Sequence, residues 1–377
     1  MEAKEVKISL SEEEMNKNSI IKVVGIGGGG NNAINYMVKM GLTGADLIAA
    51  NTDRQVLENS LAPTIIQLGP ELTKGLGAGG DPEIGREAIR ESEDEFKKIL
   101  QGAQMVFLTA GMGGGTGTGG IPVAAEIAKS MGLVTVAIVT KPFSFEGKYR
   151  LEKAEKGIEE LKEKVDTLIV IPNDKILEMV DVPMEQAFEL ADQVLYKAVK
   201  GILDLKWKPG KINLDFADIK SVMSERGYAI MGIGEGEGEN RALEAAKNAI
   251  FSPLLDEYSI KGAKAVLVNI KASKNILTSE VNDINKFIQS QAKDGDHEPN
   301  YFFGLTYDDE LGERIEVTLI ATGINKVENT KRIAQTEKVK STVNELKIEE
   351  REVPAYKRLG IDIFAGVPDE VIEDIYG

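Results

Sequence analysis

The chain has 377 residues, enough for about two domains with separate hydrophobic cores. Its formal net charge of −16 argues against nucleic acid or an anionic membrane as a direct partner. The absence of cysteine excludes disulfides and thiolate chemistry, and the one histidine, His297 in a polar loop, argues against a Ser-His-Asp triad.

The chain shows no targeting or membrane signal. No apolar run approaches the roughly 20 residues of a membrane span, and the acidic N-terminus does not resemble a signal peptide. We therefore expect a cytoplasmic protein without direct membrane insertion. Residues 1–18 are charged and polar and are predicted to form a flexible extension.

Strands and helices alternate through the first half of the chain. The predicted elements are strand 21–26, helix 32–40, strand 45–50, helix 82–100, strand 105–109, strand 134–139, helix 151–165 and strand 167–171. This βαβ series predicts an α/β, Rossmann-like parallel sheet with helices on both faces, spanning residues 19–180. In such sheets the ligand binds at the carboxyl ends of the strands.

The pattern changes after residue 180. Apolar residues at helical spacing over 183–205 predict one long central helix, which with its connection occupies 181–212. Strand patterns at 264–270, 301–307 and 314–322 predict a smaller α+β C-terminal domain over 213–325. Residues 326–350 are polar and charged, which predicts a disordered linker, and apolar residues return in a tail at 351–377.

A glycine-rich run at residues 110–120 lies between a predicted strand and a predicted helix. Glycine lets backbone N–H groups approach a ligand closely, and a helix N-terminus adds its dipole. A flexible linker is the alternative, but linkers rarely join a strand directly to a helix. The run therefore predicts a phosphate-binding loop.

Two further glycine segments accompany this run. Residues 25–33 satisfy G-x-G-x-x-G after a strand, and Asp53 follows the second strand, so a nicotinamide oxidoreductase stays open on this segment alone. Two facing loops favour a nucleoside triphosphate instead, with residues 75–82 closing over its γ-phosphate. No G-x-x-x-x-G-K-[ST] is present, so backbone N–H groups and a metal ion, with Mg²⁺ the best fit, must meet the phosphate charge.

The segment Gly113-Gly114-Gly115-Thr116-Gly117-Thr118-Gly119 resembles the signature loop of the tubulin/FtsZ family. Further segments resemble its FtsZ branch, the bacterial cell-division GTPases: residues 51–53, 73–79, 140–147, 171–175 and 213–218. The resemblance runs from about residue 20 to 324. It implies the tubulin/FtsZ fold, hydrolysis of GTP to GDP activated by polymerisation, bound Mg²⁺, homopolymer filaments, and a role in the division ring at mid-cell.

The resemblance also implies a set of GTP-binding residues. These are Gly28, Gly29, Gly30, Asn31, Asn32, Asn51, Asp53, Ala78, Gly79, Gly80, Gly114, Gly115, Thr116, Gly117, Thr118, Gly119, Pro142, Glu146, Arg150, Asn173, Phe188 and Asp192. No direct metal ligand is assigned, and Mg²⁺ would be held through the phosphates near Asp81.

Two residues of this set would recognise the base. Phe188 would stack on guanine, and Asp192 would accept hydrogen bonds from its N1–H and exocyclic amine. A carboxylate that accepts two parallel N–H bonds suits guanine and repels adenine, which has an acceptor at N1. The alternatives are a helix-core phenylalanine and a solvated helix aspartate.

The resemblance further implies that Asn213, Asp215 and Asp218 are catalytic. From Asp192 to Leu205 the helix rises about 20 Å at 1.5 Å per residue, so the loop that follows emerges on the face opposite the nucleotide. These acids could then reach only the nucleotide of a neighbour stacked head to tail, a contact that builds a filament. A solvated loop, a scaffold that polymerises without hydrolysis, and a plasmid-partitioning or shape-determining tubulin relative stay open as alternatives.

The tail contains a short peptide with proline, tyrosine and basic residues at 351–358. It resembles the peptide through which this family docks membrane-tethering and regulatory division proteins. Residues 359–377 continue beyond that peptide, and a second docking segment or packing on the body are both open for them.

Overall fold

The computed structural model describes residues 21–177, 182–207, 210–212, 214–225, 227–255 and 259–324. The predicted extension at 1–18, the linker at 326–350, the tail at 351–377 and Asn213 lie outside these residues. No helix in the described ranges is both long and apolar enough to cross a bilayer.

The first half of the described chain alternates strands with helices. Its elements are β1 (Ile21–Ile26), α1 (Gly27–Lys39), β2 (Asp46–Asn51), α2 (Arg54–Glu58), β3 (Thr64–Gln67), α3 (Pro70–Thr73), α4 (Pro82–Glu91), α5 (Glu93–Leu100), β4 (Met105–Gly111), α6 (Thr116–Ser130), β5 (Val134–Lys141), α7 (Lys148–Lys164), β6 (Thr167–Pro172) and α8 (Asn173–Leu177). A short 3-10 turn at Ser144–Glu146 precedes α7.

The second half begins with the long central helix. Its elements are α9 (Met184–Trp207), β7 (Gly210–Ile212), α10 (Phe216–Met223), β8 (Gly227–Gly236), α11 (Arg241–Ile250), β9 (Ala265–Ala272), α12 (Thr278–Ala292), β10 (Asn300–Tyr307) and β11 (Ile315–Ile324). Helix α9 is about 36 Å long at 1.5 Å per residue.

All these strands belong to one sheet in the order β3-β2-β1-β4-β5-β6-β8-β11-β9-β10-β7. The six strands from β3 to β6 are parallel to one another. Strand β8 joins them in parallel, with Thr167 opposite Gly227, and pairs antiparallel with β11 on its other side. The expected C-terminal α+β region therefore continues the first sheet instead of forming a separate one.

The parallel half of the sheet is covered on both faces. Helices α1, α9 and α10 pack on one face, and helices α4 to α7 pack on the other. A strand buried on both faces needs apolar residues at successive positions, which is why Met105 to Leu108 of β4 are all apolar. Helix α9 therefore runs along the sheet as part of the core.

Most predicted strands are confirmed within two residues, but three helices differ from expectation. Helix α1 begins at Gly27 and α7 at Lys148, earlier than predicted. The single helix expected over 82–100 breaks at Ser92. The Ser92 hydroxyl accepts a hydrogen bond of 2.9 Å from the Gly69 N–H, which ties this break to the segment after β3.

Strand β8 was not predicted because its sequence is rich in glycine. The structure explains those glycines by the close approach of α11. A β-carbon at Gly234 or Gly232 would overlap the backbone of Ala245 or Ala249 on that helix. Glycine lowers the strand propensity of β8, but it lets α11 pack closely against the sheet.

Candidate nucleotide site

We call residues 25–33 the first glycine segment, residues 110–120 the second and residues 75–82 the third. The first and second segments meet where β1 and β4, adjacent parallel strands, reach their carboxyl ends. A β-carbon at Gly27 would lie 2.8 Å from the Gly117 nitrogen, and one at Gly29 would lie 3.0 Å from the Gly111 Cα. Side chains at these positions would push the two segments apart. These two segments together form a concave surface that we call the cradle. A β-carbon at Gly28 or Gly114 would have no heavy atom within 4 Å, so the cradle is open at these two residues.

Both segments begin helices whose first turns lack side-chain caps. Helix α1 follows Ile26 and α6 follows Gly115, and neither residue provides a side-chain hydrogen bond to its helix. The first N–H groups of a helix have no partner within it, so an anion can satisfy them. The predicted residues in these first turns are Gly28, Gly29 and Gly30 in α1, and Thr116, Gly117, Thr118 and Gly119 in α6; Asn31 and Asn32 follow in the second turn of α1.

Buried polar side chains fix these two segments. The Asn31 amide donates to the Gly25 carbonyl at 2.9 Å and to the Ala50 carbonyl at 3.3 Å. Its oxygen accepts a bond of 2.8 Å from Asn51, the last residue of β2. The side chains of Asn31 and Asn51 therefore shape the cradle instead of reaching into it.

A second buried contact joins the end of β2 to the start of α6. The hydroxyls of Thr52 and Thr116 lie 2.6 Å apart, and Thr52 is fully buried. The Thr118 hydroxyl accepts the Gly113 N–H at 2.8 Å, which braces the turn before α6. Asp53 caps α2 by accepting the Gln55 N–H at 2.9 Å, so its carboxylate has a structural partner.

The third glycine segment closes the cradle from the side of α4. The Asp81 N–H donates a hydrogen bond of 2.9 Å to the Ala78 carbonyl, which closes a turn. Within this turn Gly79 and Gly80 adopt φ of +58° and +76°. A β-carbon at Gly115 would lie 2.8 Å from the Ala78 β-carbon, so the third segment (75–82) contacts the second segment (110–120).

A pocket of about 570 Å³ lies between these segments and the start of α7. Its lining residues are Gly80, Gly113, Gly114, Gly115, Glu146, Gly147, Lys148, Tyr149, Arg150 and Lys153. Glu146 accepts the Phe143 N–H at 2.9 Å and pairs with Arg150 at 3.1 Å. Sequence reasoning missed Lys148, Tyr149 and Lys153. It began α7 at residue 151, so it did not see that Tyr149 and Arg150 lie one turn before Lys153 on the same helix.

Aromatic side chains connect this edge of the sheet to the start of α9. The Phe143 ring, just beyond β5 and Pro142, packs edge-on against Phe188 with centroids 5.1 Å apart. The Phe188 side chain is 44% exposed, so one part of its surface is available for a further ring. Asn173, buried at the start of α8, has a side-chain oxygen without a hydrogen-bond partner among the described residues. A ribose hydroxyl or a water could satisfy it.

One turn further along α9, Asp192 has an altered acidity. Burial, with the charge of Glu189, raises the pKa of Asp192 to about 7, and Lys39 opposes this effect. A partly buried carboxylate one turn beyond Phe188 can accept hydrogen bonds from a ligand that offers N–H donors. Guanine offers two of them.

The acids predicted to be catalytic lie elsewhere. Asp215 is exposed and precedes α10, and its N–H donates to the Asp218 carboxylate at 3.3 Å. The expectation that both acids share a loop is wrong for Asp218, which lies in the first turn of α10 because this bond starts the helix there. At the far end of α10 the Met223 carbonyl accepts the Thr167 hydroxyl at 2.6 Å, and Thr167 is the first residue of β6. The carboxyl end of α10 therefore lies at the amino end of β6. Beside Asp215, the Leu214 N–H donates to the Leu205 carbonyl at 3.2 Å, so the acids lie near the end of α9 that is distant from Phe188.

The described residues contain no cluster of three or more His, Asp or Glu side chains that could hold a metal ion. Asp81, which is exposed, accepts the Glu83 N–H at 2.9 Å through one oxygen. A carboxylate has further lone pairs, so Asp81 can also accept a hydrogen bond from water bound to a magnesium–phosphate complex. The donor set fits a metal held chiefly by the nucleotide.

This cradle and sheet define a class of protein. Residues 20–181 match the Tubulin/FtsZ family, GTPase domain, and residues 227–325 match the FtsZ family, C-terminal domain. The fold is the tubulin/FtsZ fold, and the chain is a GTPase that binds GTP and GDP.

Solved structures narrow the class. A point mutant of FtsZ from M. jannaschii is 45% identical, with a TM-score of 0.76 over 81% of this chain and 91% of that one. An FtsZ dimer from M. jannaschii is 44% identical, with a TM-score of 0.76 over 83% of this chain and 93% of that one. The chain belongs to the FtsZ family.

A more distant structure shares the fold alone. CetZ2 from Haloferax volcanii, solved as a GTPγS-bound protofilament, is 18% identical, with a TM-score of 0.69 over 87% of this chain and 99% of that one. Membership of the FtsZ family rules out the nicotinamide oxidoreductase that the first glycine segment left open.

Proposed function

We propose that this chain is a self-assembling cytoskeletal GTPase, in which the acids of one subunit complete the site of the next. GTP would occupy the cradle at the carboxyl ends of β1 and β4. Asp215 and Asp218, with Asn213, would act on the nucleotide of the neighbouring subunit. The filament would contribute to a division ring at mid-cell.

One observation carries this proposal: the cradle and the acids lie at opposite ends of the parallel strands. The cradle follows the carboxyl end of β4, while Leu214, beside Asp215, bonds to Leu205 in the last turn of α9. Helix α9, about 36 Å long, separates the two regions along the sheet. A subunit cannot fold its own acids onto its own nucleotide across this distance. A head-to-tail contact can join them, and such a contact does not close, so it extends into a filament.

The chemistry required of the acids is modest. Phosphoryl transfer depends mainly on positioning and electrostatics, and a carboxylate can orient the attacking water in line with the γ-phosphorus. Asp215 is exposed and Asp218 is partly so, and a neighbour could therefore receive them. The N–H groups of α1 and α6 would hold the phosphates in place. Bound Mg²⁺ would supply neutralisation of the developing negative charge.

The FtsZ dimer and the CetZ2 protofilament support the assembly part of the proposal, because both are assemblies of proteins with this fold. We further propose that the peptide at 351–358 docks membrane-tethering and regulatory division proteins. The same proposal includes the division of the chain into a GTP-binding domain, a central helix with its connection, and a C-terminal domain, with boundaries at residues 180, 212 and 325. Loss of the γ-phosphate would weaken the contact between subunits, so assembly would depend on GTP and be reversible.

The test is the GTPase rate per subunit measured against protein concentration. A site shared between subunits predicts a rate near zero in dilute solution and a rise above a critical concentration that coincides with light scattering. A rate per subunit that is constant across this range would show a self-contained enzyme and reject the proposal. Assembly without turnover would identify a scaffold.

A further inference from the structure

Lys153 in α7 links that helix to the third glycine segment. Its ammonium donates a hydrogen bond of 2.5 Å to the Gly80 carbonyl and lies 4.1 Å from the centroid of the Tyr149 ring. It lines the same pocket as Gly114 and Gly115. Lys153 therefore contacts the segment expected over the γ-phosphate and faces the phosphate cradle.

The other cations of this pocket are paired with carboxylates. Arg150 pairs with Glu146 at 3.1 Å, and Lys148, whose side chain is 90% exposed, pairs with Glu152 at 3.6 Å. The two contacts of the Lys153 ammonium within the described residues are to a carbonyl and an aromatic ring, which carry no net charge. Its positive charge is thus not neutralised by a local acid.

An ammonium has three N–H donors, and Gly80 takes one of them. The other two can bond to an anionic oxygen while the Gly80 contact persists. A charge-assisted hydrogen bond to phosphate is roughly twice as strong as a neutral one. The chain has no lysine in a G-x-x-x-x-G-K-[ST] loop, and Lys153 supplies a cation at this pocket from a different element.

We propose that Lys153 is a specificity-determining residue that favours GTP over GDP. It would fix the turn at 78–81 through the Gly80 carbonyl and donate to the γ-phosphate. This inference rests on the proposed position of the γ-phosphate beneath the third glycine segment. GDP lacks that group, so the two nucleotides differ in what Lys153 can bind.

The test compares nucleotide affinities of the full chain in dilute solution, where assembly does not contribute. Lys153→Met keeps an unbranched side chain of similar length and removes its charge and donors. We expect its dissociation constant for GTP to rise about tenfold while that for GDP changes less than twofold. Lys153→Arg should restore most of the preference for GTP. Lys156→Met, at an exposed position of the same helix, is the matched control and should bind both nucleotides like the unaltered chain.

Two results would overturn the inference. Equal weakening of GTP and GDP binding, with a lowered thermal midpoint in the absence of nucleotide, would mean that Lys153 only supports the fold of the cradle. Unchanged affinities for both nucleotides would remove any role in binding. Both readouts come from single subunits, so they stay informative if the GTPase rate proves independent of concentration and the shared-site proposal fails.

Discussion

The two ends of the parallel strands are built differently. At the carboxyl ends, three glycine segments touch one another, and buried side chains such as Asn31 and Thr52 fix them. At the amino ends, Asp215 is exposed at the start of a helix of eight residues. The first region is held within one chain, whereas the second presents its acids outward. Under the proposed function, a single subunit would bind GTP without hydrolysing it.

The largest expected effect comes from removing the outward acid. Asp215→Ala should retain GTP binding and lose turnover by about 10²- to 10⁴-fold, because a positioned acid or base contributes about that much. Gly28→Asp should also be inactive, since it places a carboxylate at the open first turn of α1 where phosphate binds. Neither variant alone should hydrolyse GTP at a significant rate.

Mixing the two variants tests whether the acids act across subunits. A filament in which Gly28→Asp subunits follow Asp215→Ala subunits pairs an intact cradle with an intact acid, so GTPase activity should reappear. Activity that stays absent in a mixture that still assembles would show that cradle and acid work within one chain. Asp309→Ala, at an exposed acid that pairs with Lys274, is the control for Asp215→Ala and should leave turnover unchanged.

The next effect concerns the rigid end. Asn31→Ala removes the buried hydrogen bonds that its side chain makes with the Gly25 and Ala50 carbonyls and with the Asn51 amide. We expect a loss of about 2 to 3 kcal/mol in the free energy of unfolding. Urea denaturation with and without GDP measures it. Asn59→Ala, which removes an exposed bond to the Gln55 carbonyl, should cost no more than about 0.5 kcal/mol; similar losses for both variants would contradict the role given to Asn31.

The smallest effect is a pH dependence of base recognition. The pKa of Asp192 is raised to about 7, and the carboxylate must be ionised to accept the two N–H groups of guanine. Affinity for GTP should therefore fall about tenfold as the pH is lowered from 8 to 6. Glu189→Gln removes a neighbouring negative charge, so the midpoint of this change should move to lower pH.

Asp192→Asn is the control for the titration of the phosphates themselves. It should bind GTP weakly and lose the part of the pH dependence that belongs to the carboxylate. If the unaltered chain and Asp192→Asn give parallel pH profiles, Asp192 does not recognise the base.

Local patterns predicted the parallel half of the fold well. Met105 to Leu108 of β4 are apolar at successive positions, and the glycine segments at 25–33 and 110–120 each adjoin a strand, so both signals are visible in the residues themselves. Strand β8 was hidden because its glycines answer to α11, which is distant in sequence. Asp218 was placed in a loop because a bond between its carboxylate and the Asp215 N–H cannot be read from spacing with certainty.

The parts of the site formed by backbone N–H groups could be predicted from the sequence. The parts formed by side chains from different elements were harder to predict. The three glycine segments predict a phosphate-binding cradle from the sequence. The hydrogen-bond partners of Asn31, in contrast, come from two strands, and only folding brings them together. Lys153 reaches Gly80 from a helix 73 residues away in sequence. Contacts of this range leave no mark in local composition.

The junction between β6 and β8 has a mechanical consequence. Pairing there runs only from Thr167–Gly227 to Ile169–Ala229, whereas β8 and β11 pair over most of their length. Twisting the parallel strands against the strands beyond β8 would strain fewer hydrogen bonds at this junction than at that neighbouring one. The sheet should therefore twist more easily at this junction than at the β8–β11 pairing, and α9, which packs along the sheet, would resist that twist.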